Sequence, residues 1–158
     1  MRSLRESIST DRIKDKWPNG VLLHGTSHKF DTFRRGGHEA IYFSDPNRRP
    51  SQKTQAEAIA EGPFGGWLVS VRLKKGKIFN PYDDPVAEEI RSKYATSPMT
   101  DKGDKRIHYV DAPDIIRAAS KLGYNVFEFF EPSVIGVSTA VTDPSLIKVL
   151  KWYKIERK

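Results

Sequence analysis

The 158-residue sequence contains no cysteine, which excludes disulfides, a thiolate zinc site and a cysteine nucleophile, and suits a reducing compartment. Nowhere do about 18 apolar residues run together, so no membrane-spanning helix is expected. The first 17 residues are charged and lack the apolar stretch of a secretory signal. The expected location is therefore cytoplasmic, with no membrane partner. The ordinary phosphate cradles are missing too: there is no Gly-x-Gly-x-x-Gly and no Walker-type loop. The four histidines, 24, 28, 38 and 108, are spread out. Only His24 and His28 are four apart, in a stretch that does not read as helix, so no metal is expected.

What is present is one domain's worth of chain, 37% hydrophobic and 30% charged, with a formal net charge of +7. The bases are scattered: Arg34-Arg35, Arg48-Arg49, Lys74-Lys75-Lys77, Lys102-Lys105-Arg106 and the tail Lys151-Lys154-Arg157-Lys158. That pattern describes a solvated basic surface, with nucleic acid or another acidic partner as the alternative. Residues 1–19 read as a polar leader with room for one short helix. Strands are expected over 21–26, 41–44, 67–73, 125–130, 137–142 and 149–155, from short apolar or alternating runs bounded by turn residues. Helices are expected over 51–61, opened by Ser51, over 86–94, and from an Asp111 cap to Leu122, closed by Gly123. Strands and helices mix without a regular βαβ beat, so the expected class is α+β, with 20–158 as a single domain.

The rest is organised around Val21-Leu22-Leu23-His24-Gly25-Thr26-Ser27. A histidine ending a buried strand is firmly held, and the following glycine lets a ligand approach the backbone. The same pattern also fits a structural histidine bonded to its neighbours. A second stretch, Ala40-Ile41-Tyr42-Phe43-Ser44-Asp45, offers a phenol ring, which is equally a common core residue.

Taken with Ser138-Thr139-Ala140-Val141-Thr142-Asp143-Pro144-Ser145-Leu146-Ile147-Lys148, these stretches resemble the diphtheria-toxin/poly(ADP-ribose)-polymerase branch of the ADP-ribosyltransferases. The likeness is greatest to small transferase domains of phage and mobile-element proteins. It implies split antiparallel β-sheets with flanking helices, and transfer of ADP-ribose from NAD+ to a macromolecule, most simply a protein, with release of nicotinamide. NAD+ is then a substrate, and the protein a phage or bacterial effector or toxin. In this reading His24 bonds a ribose hydroxyl, with Thr26 beside it, and the exposed Gly25 backbone clasps the nicotinamide amide. The Tyr42 ring stacks on nicotinamide, and Ser44, Ser51 or Thr54 adds a bond to the amide.

One departure stands out. Ser138 occupies the place of the family's catalytic glutamate, and losing that preorganised charge is worth on the order of 3 kcal/mol, about a hundredfold in rate. Glu131, on the loop leading to Ser138, and Glu128, on the preceding strand, are the reserves. The second aromatic that sandwiches nicotinamide has no counterpart in 52–61, leaving Phe64 or Trp67. Two alternatives follow: a catalytically impaired module that binds NAD+, ADP-ribose or a protein, and a nucleic-acid-directed transferase or RNA 2′-phosphotransferase.

Overall fold

A computed structural model of the chain describes residues 7–9, 17–34, 39–48, 66–97, 105–130 and 137–156. Among the described residues the fold is α+β: one sheet of seven strands, with two α-helices against part of one face. The strands are β1 (Ser7–Ser9), β2 (Leu22–Thr26), β3 (Ile41–Ser44), β4 (Gly66–Leu73), β5 (Val126–Phe130), β6 (Val137–Val141) and β7 (Ile147–Glu156); the helices are α1 (Pro85–Tyr94) and α2 (Ala112–Ser120). The spatial order is β1-β7-β4-β2-β3-β6-β5. Every pairing is antiparallel except that of β1, which lies parallel beside β7.

The sheet narrows in the middle. β4 and β7 pair over most of their length and β2 pairs five residues with β4, whereas β2 meets β3 through one residue pair, Leu23 opposite Ser44. Two expected split sheets are thus one sheet joined at a narrow seam.

Side-chain alternation divides the sheet into two faces. On the first, Phe127 and Phe129 of β5, Ala140 of β6 and Tyr42 of β3 pack under the helices, against Ala87, Ile90, Ile115, Ile116 and Ala119. The second buries Leu22, Ile41, Phe43, Val69, Val71, Val126 and Val141 with Phe33 and Leu146. Beyond the seam the first face is closed by Val21, Leu23, Leu68 and Ile155, with Trp17 set edge-on to Tyr153 at 5.6 Å.

The helix ends show why the chain turns where it does. Asp84 accepts hydrogen bonds from the Val86 and Ala87 N–H groups, with Pro85 in the first turn where its missing N–H costs nothing. The Tyr124 hydroxyl donates to the same carboxylate. Gly123 leaves α2 at φ 88, a left-handed position suited to glycine.

Several expectations change. Asp111 does not cap α2. A 3-10 turn, Tyr109–Asp111, runs straight into the helix, so Asp111 already has helical φ/ψ and its side chain cannot fold back onto the first turn. It is buried instead and accepts from the Ser97 N–H at 3.1 Å, while the His108 ring caps the 3-10 turn. Leu122 lies past the last helical turn and is 52% exposed, not part of the apolar face. Within the leader, Ser7–Ser9 is strand rather than helix. A register shift opposite Ser70/Val71 breaks the simple alternation expected of the last strand, placing Val149 opposite Val71 and Lys151 opposite Ser70. The expected 51–61 helix lies outside the described residues.

Candidate functional site

The strand order brings the three quoted stretches side by side: β2 carries His24, β3 carries Tyr42 and Ser44, and β6 carries Ser138. Ser44 and Ser138 are direct cross-strand partners, both buried.

His24 sits at the seam. Its Nδ1–H donates to the Tyr42 carbonyl at 2.8 Å. A carbonyl only accepts, so this bond fixes the tautomer and leaves Nε2 as an acceptor. Phe30, Phe33 and Phe43 surround the imidazole with ring centroids 6.1, 5.4 and 5.6 Å away. Burial among these rings holds its pKa below the ordinary 6.5, only partly offset by the bond to Tyr42. The ring is a neutral, oriented base.

Tyr42 belongs to the same seam but to the other face. With Leu23 opposite Ser44, alternation sets His24 across from Phe43 and Tyr42 across from Gly25. The Tyr42 ring stands edge-on to Tyr109 at 5.4 Å and tilted to Phe129 at 6.5 Å. Burial, then the charges of Tyr109 and Glu39, push its phenol well above the ordinary range. His24 and Tyr42 are joined through a backbone carbonyl, not gathered around one open cleft. The two side chains project from opposite faces of the sheet.

The remaining predicted residues are placed as follows. Gly25 is buried between its strand neighbours, not the exposed edge expected of it, because β4 pairs along its length with Leu68 opposite the glycine. Thr26 spends its hydroxyl on the His28 carbonyl at 3.0 Å. Ser51, Thr54, Phe64 and Glu131 lie outside the described residues. Trp67 pairs edge-on with Trp152 at 6.2 Å, on the His24 face rather than over Tyr42, so it does not form the second side of a sandwich with that ring. Glu128 is exposed but cannot stand in for a carboxylate at Ser138. Phe129 is the partner of Ser138, and Glu128, one residue earlier, faces the other way.

Sequence reasoning missed the acid whose charge reaches Tyr42. Glu39, with an unusual φ of 63, forms a 2.8 Å ion pair with Arg117 of α2, which also contacts Asp114 at 3.2 Å. Glu39 and Arg117 are 78 residues apart, a pairing no local pattern announces.

A cavity of about 480 Å³ lies elsewhere, at the outer edge of β5, bounded by 78–82, 105–107 and the β5–β6 surface. On the second face a cross-strand row runs His24, Phe43, Thr139, Glu128. Three strand spacings, roughly 14 Å, thus separate the seam histidine from the Glu128 that lines this cavity. Among the described residues no group of three His, Asp or Glu side chains is disposed to hold a metal ion, and no helix is long and apolar enough to cross a membrane.

No family model and no curated protein matches the chain. The crystal structure of an anti-CRISPR protein superposes on it with a TM-score of 0.45 and 15% sequence identity, over 82% of this chain and 94% of that one.

Proposed function

We propose that this chain is an NAD+-dependent mono-ADP-ribosyltransferase that modifies a macromolecular acceptor, a protein in the first instance, as an effector would. The observation that carries the reading is the adjacency of β2, β3 and β6, with the His24 imidazole bonded to the Tyr42 carbonyl where the sheet is narrowest. The chemistry of these groups fits the ligand. A neutral imidazole with Nε2 as acceptor suits a ribose hydroxyl, and a half-buried phenol ring suits a cationic nicotinamide.

In the reaction the bond from ribose C1′ to the nicotinamide nitrogen breaks and nicotinamide leaves with the bonding pair. A nucleophilic atom of the acceptor forms the new bond to C1′ and releases its proton to solvent. Holding the sugar in a fixed position is the contribution expected of His24, whose orientation the Tyr42 carbonyl sets. Ser138 supplies a hydroxyl but no charge to the developing cation, so turnover is slow and long poly-chains do not form.

A second reading, a module that binds NAD+ or ADP-ribose without turnover, draws support from the burial of neutral Ser138 and from Glu128 facing away from it. One experiment separates the two. The chain is incubated with labelled NAD+ and cell lysate, and both label transfer and free nicotinamide are measured. The transferase reading expects transfer that His24→Ala abolishes and Ser138→Glu raises by up to about a hundredfold. NAD+ binding measured by calorimetry without release of nicotinamide leaves the binding module. Neither binding nor release, or release unchanged in His24→Ala, rejects the proposal.

A further inference from the structure

We propose that the first face of the sheet, in its four-stranded half, binds single-stranded nucleic acid through a row of cations on β4 and β7. The row exists because of the register shift in β7. Arg72 pairs with Lys148 and Val71 with Val149, but Ser70 pairs with Lys151, so Leu150 is an extra residue in β7. In an unbroken strand Lys148 and Lys151, three residues apart, would face opposite sides of the sheet. Their partners Arg72 and Ser70 are two apart and share a face, so the extra residue turns Lys151 to the side of Lys148. Both partners alternate with Leu68, which fixes that side as the first face. Lys154, three residues further on, pairs with Trp67 and falls on the second face. The two helices lie against the β3, β5 and β6 part of the first face, away from this row.

Three side chains of one sign thus lie together. Arg72 and Lys148 stand directly opposite in an antiparallel pair, where like charges repel. No acid is interleaved with them: β2 and β4 contain none, and β7 has none before Glu156 at its far end. Arg72 donates to the Asn19 carbonyl at 2.9 Å, a bond that orients the guanidinium without cancelling its charge. Arg72 and Lys148 are exposed, as are Lys74 and Lys75 just beyond the end of β4. A repulsion built into a regular ladder is relieved when a polyanion lies across it. The next first-face position on β7 is Tyr153, partly exposed, with the Lys151 ammonium 5.5 Å from its ring centroid and Trp17 edge-on at 5.6 Å. A flat ring that continues a row of cations matches a strand with unpaired bases, whose phosphates meet the cations while a base lies on the ring. A duplex, an acidic peptide or an anionic bilayer meets the charges but brings no base to the ring.

The test is fluorescence anisotropy of the full chain with a labelled single strand of about 12 nucleotides and mixed sequence. Measured between about 50 and 200 mM salt, the logarithm of the binding constant should fall linearly with that of the salt concentration, with a slope of about −2 for three phosphate contacts. Lys148→Ala, at an exposed position, should weaken binding several-fold and flatten the slope by about 0.7, the share of one contact. Lys154→Ala, equally exposed but on the second face, should change neither. The proposal is overturned by absence of binding at the lowest salt, by a slope that Lys148→Ala leaves unchanged, or by an equal loss in Lys154→Ala, which would mean attraction by net charge alone. Tighter binding of a duplex of the same length, of polyglutamate or of vesicles containing phosphatidylserine overturns it as well, each naming a different partner for the same cations. Failure of NAD+ turnover does not bear on it.

Discussion

His24 meets two demands at once. Its Nδ1–H serves the Tyr42 carbonyl, and its ring fills a pocket of three phenylalanines. Only burial among the rings disfavours the charged ring; the bond to Tyr42, which an imidazolium can donate as well, works the other way, and burial prevails, so the pKa falls. The consequence for stability follows directly. Below the ordinary 6.5 the unfolded chain takes up a proton that the folded chain refuses, so stability is level above 6.5 and falls as pH drops from there toward the lowered value. Urea midpoints measured from pH 7.5 to 5 should decline, and His24→Gln should remove that part of the decline. A decline of the same size in the variant would mean that His24 does not titrate as its surroundings demand. Tyr42, on the other side of the same peptide, is tied to residues far away in sequence: Tyr109, Phe129 and Glu39. The Tyr-Phe strand was legible in the sequence; the neighbours of its tyrosine were not.

At the scale of elements, the start of α1 is the most tightly specified corner. Asp84 caps the helix and also accepts from the Tyr124 hydroxyl, tying the helix N-terminus to the segment that enters β5. That bond and burial raise Tyr124 to about 12, burial acting first, and Asp84 is lowered chiefly by the same bond. Tyr124→Phe should therefore lose about 2 kcal/mol, the usual worth of a hydrogen bond to a charged group. The loss should shrink in an Asp84→Ala background, since the two share one interaction; equal losses in both backgrounds would show them to be independent. Above pH 10 the wild type should weaken, because the unfolded tyrosine ionises first while the folded one holds its proton up to about 12. Elements with a local cause were legible in the sequence. Apolar runs between turn residues located β2 and β3, and Pro85 with the Asp-rich turn located α1. Elements set by distant partners were not. Ser7–Ser9 becomes a strand only because β7 offers an edge, and Asp111 loses its cap because a 3-10 turn precedes it.

At the scale of the molecule, the backbone ladder joins a four-stranded half, β1-β7-β4-β2, to a three-stranded half, β3-β6-β5, through one residue pair, while the apolar core of the second face spans both. Alternation predicted strands, but strand order is a long-range property, and no window of sequence says that β2, β3 and β6 lie together or that the ladder between β2 and β3 is so short. The same limit hid the cavity, assembled from four separate segments. A sheet with so narrow a waist should not open uniformly. Amides bonded within the β4–β7 ladder should exchange slowly with deuterium, close to the limit set by global unfolding, because opening them breaks a long ladder over a buried face. Amides of β2 and β3 around Gly25 and Tyr42 should exchange faster, through local separation of the halves. If the seam is where NAD+ binds, saturating NAD+ should slow this second group while leaving β4–β7 unchanged, since a ligand spanning the waist stabilises only the state in which the halves stay together. Uniform exchange across all seven strands would show that the single pair is no weak point. Protection confined to β5 would place the dinucleotide in the edge cavity instead.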